Sequence, residues 1–355
     1  MPLATRSSRS PRSGIYNMPE GATISIPKAL YLLDSEAFHK IYGEEEQAAV
    51  AELADIYAPP QTRDSVARNS GVLAEAEVLL SGWGAPAMDA AFLDAAPNLR
   101  LVLYGAGSIR RVATPALWDR GVRITSAYAA NAVPVSEYTL AAILFSLKRG
   151  WHFAFSAQRE KALPGQSQVP GAYGSTVGLV SLGMVGRLVR ERLRPFDLRV
   201  VAYDPYVTPG EARDLGVDLM SLDELFASSE VVSLHAPWLP ETEGMIRGSH
   251  LASMKRNATL INTSRGAVVR EGEMVEVLEK RPDLWVVLDV THPEPPEPGC
   301  RLYDLPNVVL TPHIAGSLGS ECRRLGRLVV DELRRYVAGE PLEHEITRER
   351  AALLA

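Results

Sequence analysis

Three short polar clusters in the second half of the chain carry the side chains best suited to chemistry. They are Asn262-Thr-Ser-Arg-Gly266, Leu288-Asp-Val-Thr-His-Pro-Glu-Pro295 and Thr311-Pro-His-Ile-Ala-Gly316. Together they offer a guanidinium, Arg265, a carboxylate, Glu294, and an imidazole, His313. A permanently charged planar fork suits a substrate carboxylate. An imidazole that titrates near neutrality suits proton exchange with a hydroxyl or carbonyl. A carboxylate beside it would orient the ring and favour its charged form. Arg265 alone would more often be a salt-bridge residue; the combination is what makes it a catalytic candidate.

A second set of residues suits a dinucleotide. In Val177-Gly-Leu-Val-Ser-Leu-Gly-Met-Val-Gly-Arg187 an apolar strand gives way to a helix. Gly183 would let backbone approach a pyrophosphate, Gly186 would let helix and strand pack closely, and Met184 and Val185 open the helix. The helix amides then face the phosphates. Ser181 stands where the first glycine of the Gly-x-Gly-x-x-Gly pattern belongs. Asp204, which follows the strand Arg199–Tyr203, is placed to accept from the adenosine ribose and to repel a 2′-phosphate, which favours NAD over NADP.

Each cluster follows an apolar run, so the elements that position them are strands whose carboxyl ends share one edge. From Ala29 onward such runs alternate with helical stretches, as in parallel βαβ units. The spacing predicts strands at 29–33, 78–80, 99–104 and 122–125, and a second series at 177–181, 199–203, 231–234, 259–262, 285–289 and 308–310. Between the series a single long helix is expected over 135–155, with Pro134 in its first turn. A breaker-rich loop is expected over 161–171. An amphipathic helix over 318–337 closes the pattern. The class is α/β, with two open parallel sheets.

Composition narrows the function. The chain has 355 residues, 46% hydrophobic and 23% charged, enough to bury two cores. A net charge of −6 gives no electrostatic support to general nucleic-acid binding. The two cysteines, Cys300 and Cys322, have no zinc-ligand spacing and cannot frame a disulfide scaffold, so no metal and a reducing cytoplasm are expected. The apolar run Thr139–Leu147 is too short to span a bilayer. Residues 1–25, basic and serine-rich without a signal-peptide core, are expected to form a disordered tail.

In these motifs the sequence resembles the D-isomer-specific 2-hydroxyacid dehydrogenases from about Leu30 to Val337. The resemblance implies that Arg265, Glu294 and His313 are catalytic. It implies that Asp289 contacts the nicotinamide carboxamide and that His235-Ala236-Pro237 and Thr242 run along the cofactor. Thr263, Ser264 and Gly316 would be further cofactor neighbours. Gly105-Ala106-Gly107-Ser108 matches the loop whose amides bind the substrate carboxylate. At Ile109-Arg-Arg-Val112 the chain departs from the family's usual Asp-Asn-Ile-Asp. The implied architecture is a Rossmann nucleotide domain, 131–315, inserted into a flavodoxin-like substrate domain, 26–130 and 316–355, in a homodimer. No membrane partner is expected, and no C-terminal regulatory domain. The implied activity is NAD-dependent hydride transfer at C2 of a small 2-hydroxy or 2-oxo acid; a nicotinamide-sensing corepressor is the alternative. Tyr104-Gly105 replaces the arginine with which phosphoglycerate dehydrogenases begin this loop, so an unphosphorylated substrate is expected.

Overall fold

A computed structural model describes residues 26–166 and 168–353; the expected N-terminal tail lies outside the described residues. The first sheet contains β1 (Lys28–Leu32), β2 (Asp55–Ile56), β3 (Val78–Ser81), β4 (Leu101–Tyr104) and β5 (Arg123–Ser126), all parallel, in the order β2-β1-β3-β4-β5. That is the flavodoxin-like order. The second contains β6 (Thr176–Val180), β7 (Arg199–Tyr203), β8 (Asp218–Leu219), β9 (Val231–Leu234), β10 (Thr259–Asn262), β11 (Trp285–Leu288) and β12 (Val308–Leu310). Its order, β12-β11-β10-β9-β6-β7-β8, is the doubly wound Rossmann arrangement with one further strand.

Period-2 alternation assigns each face of these sheets to its own core. In the first sheet Leu30, Leu32, Leu79 and Val102 face one way, while Ala29, Tyr31, Leu80 and Leu103 face the helix Cys322–Val337 through Leu325, Val329 and Leu333. In the second sheet Val177, Leu179 and Ile261 pack on the helix Tyr128–Leu147 through Ala142, Ile143 and Leu147. The chain therefore leaves the first domain after β5, builds the second, and returns through Ser317 to complete the first. The nucleotide domain is inserted, as the resemblance implies.

The long connecting helix differs from expectation. It begins at Tyr128, carries Pro134 inside, and ends at Leu147; a second helix runs from Gly150 to Glu160. Between them Arg149 adopts a left-handed φ of +53°. The indole of Trp151 meets the Phe145 ring edge-on at 4.6 Å and donates to Ser146 Oγ at 3.1 Å, folding the second helix back on the first. Gly150 is what allows this, since a Cβ there would lie 2.4 Å from the Phe145 ring. The helix Tyr128–Leu147 is long and apolar enough to cross a membrane by composition, but half of its 18-residue apolar window is buried inside the fold.

Register sets the working edge. Val180 pairs with Tyr203 and Leu234, Asn262 with Leu234 and Leu288, and Leu288 with Leu310. Loops that follow these residues start on one line: Ser181, Asp204, His235, Thr263, Asp289 and Thr311. In the first sheet Ser81, Tyr104 and Ser126 are likewise aligned, which sets the Gly105 loop at the matching edge.

Candidate active site

A cleft of about 610 Å³ lies between the two edges. Of the residues singled out in the sequence, Gly107, Ser108, Gly183, Met184, Val185, Asp204, His235, Ala236, Pro237, Thr242, Thr263, Ser264 and Arg265 line it. Gly105, Ala106, Gly186, Asp289, Glu294, His313 and Gly316 are not among its lining residues.

The nucleotide turn is built as its spacing predicts. A Cβ on Gly186 would lie 2.2 Å from the Ser181 carbonyl oxygen, so only glycine lets the helix Met184–Leu193 approach β6. Around Gly183 there is open space, and no side chain caps this helix. Its first amides are therefore free to meet an anion. Ser181 takes the left-handed φ of +77° that a glycine would adopt without strain. Asp204 braces the turn: Oδ2 accepts from the Leu182 amide at 2.7 Å and Oδ1 from the Tyr206 amide at 2.8 Å. It is thus both a turn residue before Pro205 and a carboxylate facing the cleft. An uncapped helix, an unfilled glycine position and a strand-end carboxylate together fit a dinucleotide.

His235, whose backbone amide donates to the Val180 carbonyl at 2.8 Å, is buried enough that its imidazole is pushed down to about 3. It is neutral at physiological pH and its Nε2 has no partner among the described residues. Thr242 Oγ1 accepts from the Leu239 amide at 2.9 Å and so holds the loop that continues from Pro237.

Arg265 follows β10 in a loop closed by Asn262, whose Oδ1 accepts from the Ser264 amide at 3.0 Å and whose Nδ2 donates to the Arg265 carbonyl at 2.9 Å. Burial pushes the guanidinium below its usual range, and the Glu294 charge acts in the opposite direction. Next to it Gly266 lies against the loop after β11; a Cβ there would fall 2.0 Å from the Thr291 carbonyl carbon. This contact brings the Arg265 loop to the loop that carries Glu294.

His313 meets Glu294 directly, with Nδ1 2.6 Å from Oε1, and both side chains are half exposed. The His313 backbone is left-handed, φ +53°, and is held there by Asp289. The Asp289 carbonyl accepts from the His313 amide at 3.0 Å, while its buried carboxylate accepts from the amides of Ile314 and Ala315, each at 2.9 Å, and from Thr311 Oγ1 at 2.6 Å. The structure gives Asp289 this clamping role in addition to the cofactor contact the resemblance implies. Strain on the order of 1–3 kcal/mol at such a residue persists only where the surroundings impose it.

The substrate loop requires a correction. The Gly105 amide donates to the Ser81 carbonyl at 2.9 Å, so it is not available to a substrate. The amides of Gly107 and Ser108, which line the cleft, have no hydrogen-bond partner among the described residues. A Cβ on Gly105 would lie 3.0–3.1 Å from Ile41, Ser81 O and the Tyr42 hydroxyl, so no larger side chain fits there without movement. Sequence reasoning also missed Asn131, which lines the cleft from the first turn of the connecting helix. Its Oδ1 accepts from the Ser317 amide at 2.9 Å and sits 3.2 Å from where Gly316 would carry a Cβ. The available signal was an amide side chain inside an alanine-rich helix, where asparagine is unfavourable without a partner.

Comparison with known proteins agrees with this geometry. D-3-phosphoglycerate dehydrogenase of Mycobacterium tuberculosis (strain ATCC 25618 / H37Rv) is 36% identical over 271 residues, which are 75% of this chain and 50% of that protein. The chain thus spans about half the length of the phosphoglycerate dehydrogenases it matches. Glyoxylate reductase of Korarchaeum cryptofilum is 29% identical over 297 residues, covering 80% of this chain and 85% of that one. The solved structure of the TT0316 protein from Thermus thermophilus superposes with a TM-score of 0.72 at 28% identity, over 90% of this chain and 100% of that chain. Residues 141–315 match the model described as D-isomer specific 2-hydroxyacid dehydrogenase, NAD binding domain. The fold agrees with these relatives, and residues 141–315 form an NAD binding domain of the D-isomer specific 2-hydroxyacid dehydrogenase kind.

Proposed function

We propose that this chain transfers hydride between NAD(H) and C2 of a small 2-hydroxy or 2-oxo acid. The observation that carries the reading is the 2.6 Å contact of His313 Nδ1 with Glu294, on loops packed against the one that presents Arg265 to the cleft. NADH, when bound along Gly183, Asp204 and the 235–242 loop, supplies the hydride. Arg265, with the amides of Gly107 and Ser108, holds the substrate carboxylate. Glu294 fixes Nδ1 and leaves His313 Nε2 to deliver its proton to the carbonyl oxygen as negative charge develops there. Arg265 polarises the same oxygen. In oxidation, neutral Nε2 takes the proton of the substrate hydroxyl. His235 is excluded from this role by its burial.

The relatives named for phosphoglycerate and glyoxylate support a small acid as substrate. The enclosed position of Gly105 supports an unphosphorylated one, because the site there has no room for an arginine. A homodimer is the proposed assembly, supported by Phe145, Phe155 and Tyr173 exposed on the nucleotide domain. The unpaired Cys300 and Cys322 support a cytoplasmic location, and the net charge of −6 supports the absence of a nucleic-acid partner. A panel of 2-oxo acids with NADH, including 3-phosphohydroxypyruvate, tests the reading through loss of reduced-nicotinamide absorbance. Turnover is expected, with kcat/KM highest for an unphosphorylated acid. Tight NADH binding without turnover of any of them would contradict the reading, and a preference for the phosphorylated acid would overturn the substrate assignment.

A further inference from the structure

At Ile109-Arg110-Arg111 the substrate loop departs from the pattern of the family it resembles, and the structure gives the departure a task. Ile109 is buried, which anchors the loop and leaves Arg110 at the surface beside the cleft. Arg110 Nη1 donates to the Trp238 carbonyl at 2.8 Å, and its guanidinium carbon lies 5.3 Å from the centre of the Trp238 ring. Among the described residues this is the only hydrogen bond between a loop of the first sheet and a loop of the second. Trp238 directly continues His235-Ala236-Pro237, which lines the cleft, and its indole Nε1 is pinned by Glu243 Oε2 at 2.9 Å. The same indole meets the His292 ring edge-on at 5.1 Å, two residues before Glu294. On its own side, the Arg110 amide faces Ser108 Oγ at 3.4 Å.

We propose that Arg110 is a positioning residue that latches the substrate loop across the cleft onto Trp238. The latch favours the arrangement in which the Gly107 and Ser108 amides stand opposite Arg265, so that both anchors for one carboxylate are present at once. NADH needs only the second domain and is held without the latch. The kinetic part of this proposal rests on the 2-oxo acid reading above; the conformational part does not. A cleft that is competent for only a fraction of the time binds its substrate more weakly by that fraction. The latch combines a charge-assisted bond with a cation–aromatic contact at an exposed position, so its loss is expected to matter by roughly tenfold.

The test compares Arg110→Met, which keeps the stem, with Arg110→Lys, which keeps the charge. In Arg110→Met the KM for a 2-oxo acid is expected to rise about tenfold, with kcat and the NADH dissociation constant changing by less than about threefold. In Arg110→Lys, which can still reach the carbonyl, most of the KM increase is expected to be restored. Hydrogen exchange of peptides covering 105–113 and 235–243, without substrate, reads the latch directly, and both are expected to exchange about tenfold faster in Arg110→Met. Unchanged exchange in both peptides would overturn the latch. So would a loss of NADH affinity as large as the change in KM, since Arg110 would then merely shape the Trp238 loop. If no 2-oxo acid is turned over even by the unaltered protein, the functional reading fails and the exchange result still decides the latch.

Discussion

The two ends of the cleft are made from the same kind of part, a loop at the carboxyl end of a parallel strand, yet they obey different constraints. At the nucleotide end the departure is small: Ser181 replaces a glycine but adopts the glycine conformation, φ +77°, and Asp204 ties the turn to the next strand. The backbone geometry survives the change of side chain. At the proposed substrate end the departure comes with side-chain contacts. Gly105 is enclosed by Ile41, Tyr42 and Ser81, its amide is taken, and Arg110 reaches the opposite domain. A site for a shared cofactor keeps its backbone, whereas a site for a particular substrate is set by side-chain packing.

Removing charge from the nucleotide end has the largest expected effect of the variants that probe this contrast. Asp204→Ala should weaken NADH binding and narrow the preference for NADH over NADPH, by about 1–3 kcal/mol, because an acceptor and a repulsive charge both disappear. Dissociation constants for the two cofactors check this; an unaltered protein that prefers NADPH would show that Asp204 does not read the ribose.

His235 gives a pH-dependent prediction. Its folded value, about 3, lies below the unfolded value near 6.5, so the unfolded chain binds a proton that the folded one excludes. The stability this neutral imidazole contributes is fully present above about pH 6.5 and falls by roughly 1.4 kcal/mol for each unit between there and pH 3. His235→Gln should flatten that part of the stability curve, measured by denaturant unfolding at pH 7 and pH 5. It should leave the pH dependence of kcat unaltered, because an imidazole that stays neutral throughout cannot be the acid.

The smallest effect is expected where the nucleotide turn is returned to the family pattern. Ser181→Gly relieves a left-handed side-chain conformation at the cost of a freer unfolded chain, so the net change in stability should be below about 1 kcal/mol. NADH affinity should stay within about threefold, since the backbone is already glycine-like. Gly105→Ala, at the other end, should be destabilising, because its Cβ would press on the Ser81 carbonyl oxygen at 3.1 Å. Equal tolerance at both positions, measured by thermal unfolding, would remove the contrast between the two ends.

Much of this organisation was legible before the fold. Strands β7, β9, β10 and β12 fall at the predicted residues because each is a short apolar run bounded by polar residues, and β9 and β10 are buried throughout. The three catalytic candidates were legible because each follows such a run. The edge strands β2 and β8 were not, since two residues carry no periodicity. Neither was the helix break at Arg149, where Gly150 permits the fold-back but the packing of Trp151 on Phe145 fixes it. Asn131 and the Arg110–Trp238 contact were hidden for the same reason. Arg110–Trp238 links loops of the two sheets and Asn131–Ser317 links the two segments that pass between the domains, contacts that only the insertion of one domain into the other brings together.

The central claim, that His313 held by Glu294 is the proton donor in NADH-dependent reduction, is tested most directly by His313→Ala. Its kcat with the best 2-oxo acid should be lower by about 100- to 10,000-fold, while its NADH dissociation constant changes much less. Near-normal turnover in His313→Ala, or a larger loss in His235→Gln, would contradict the account.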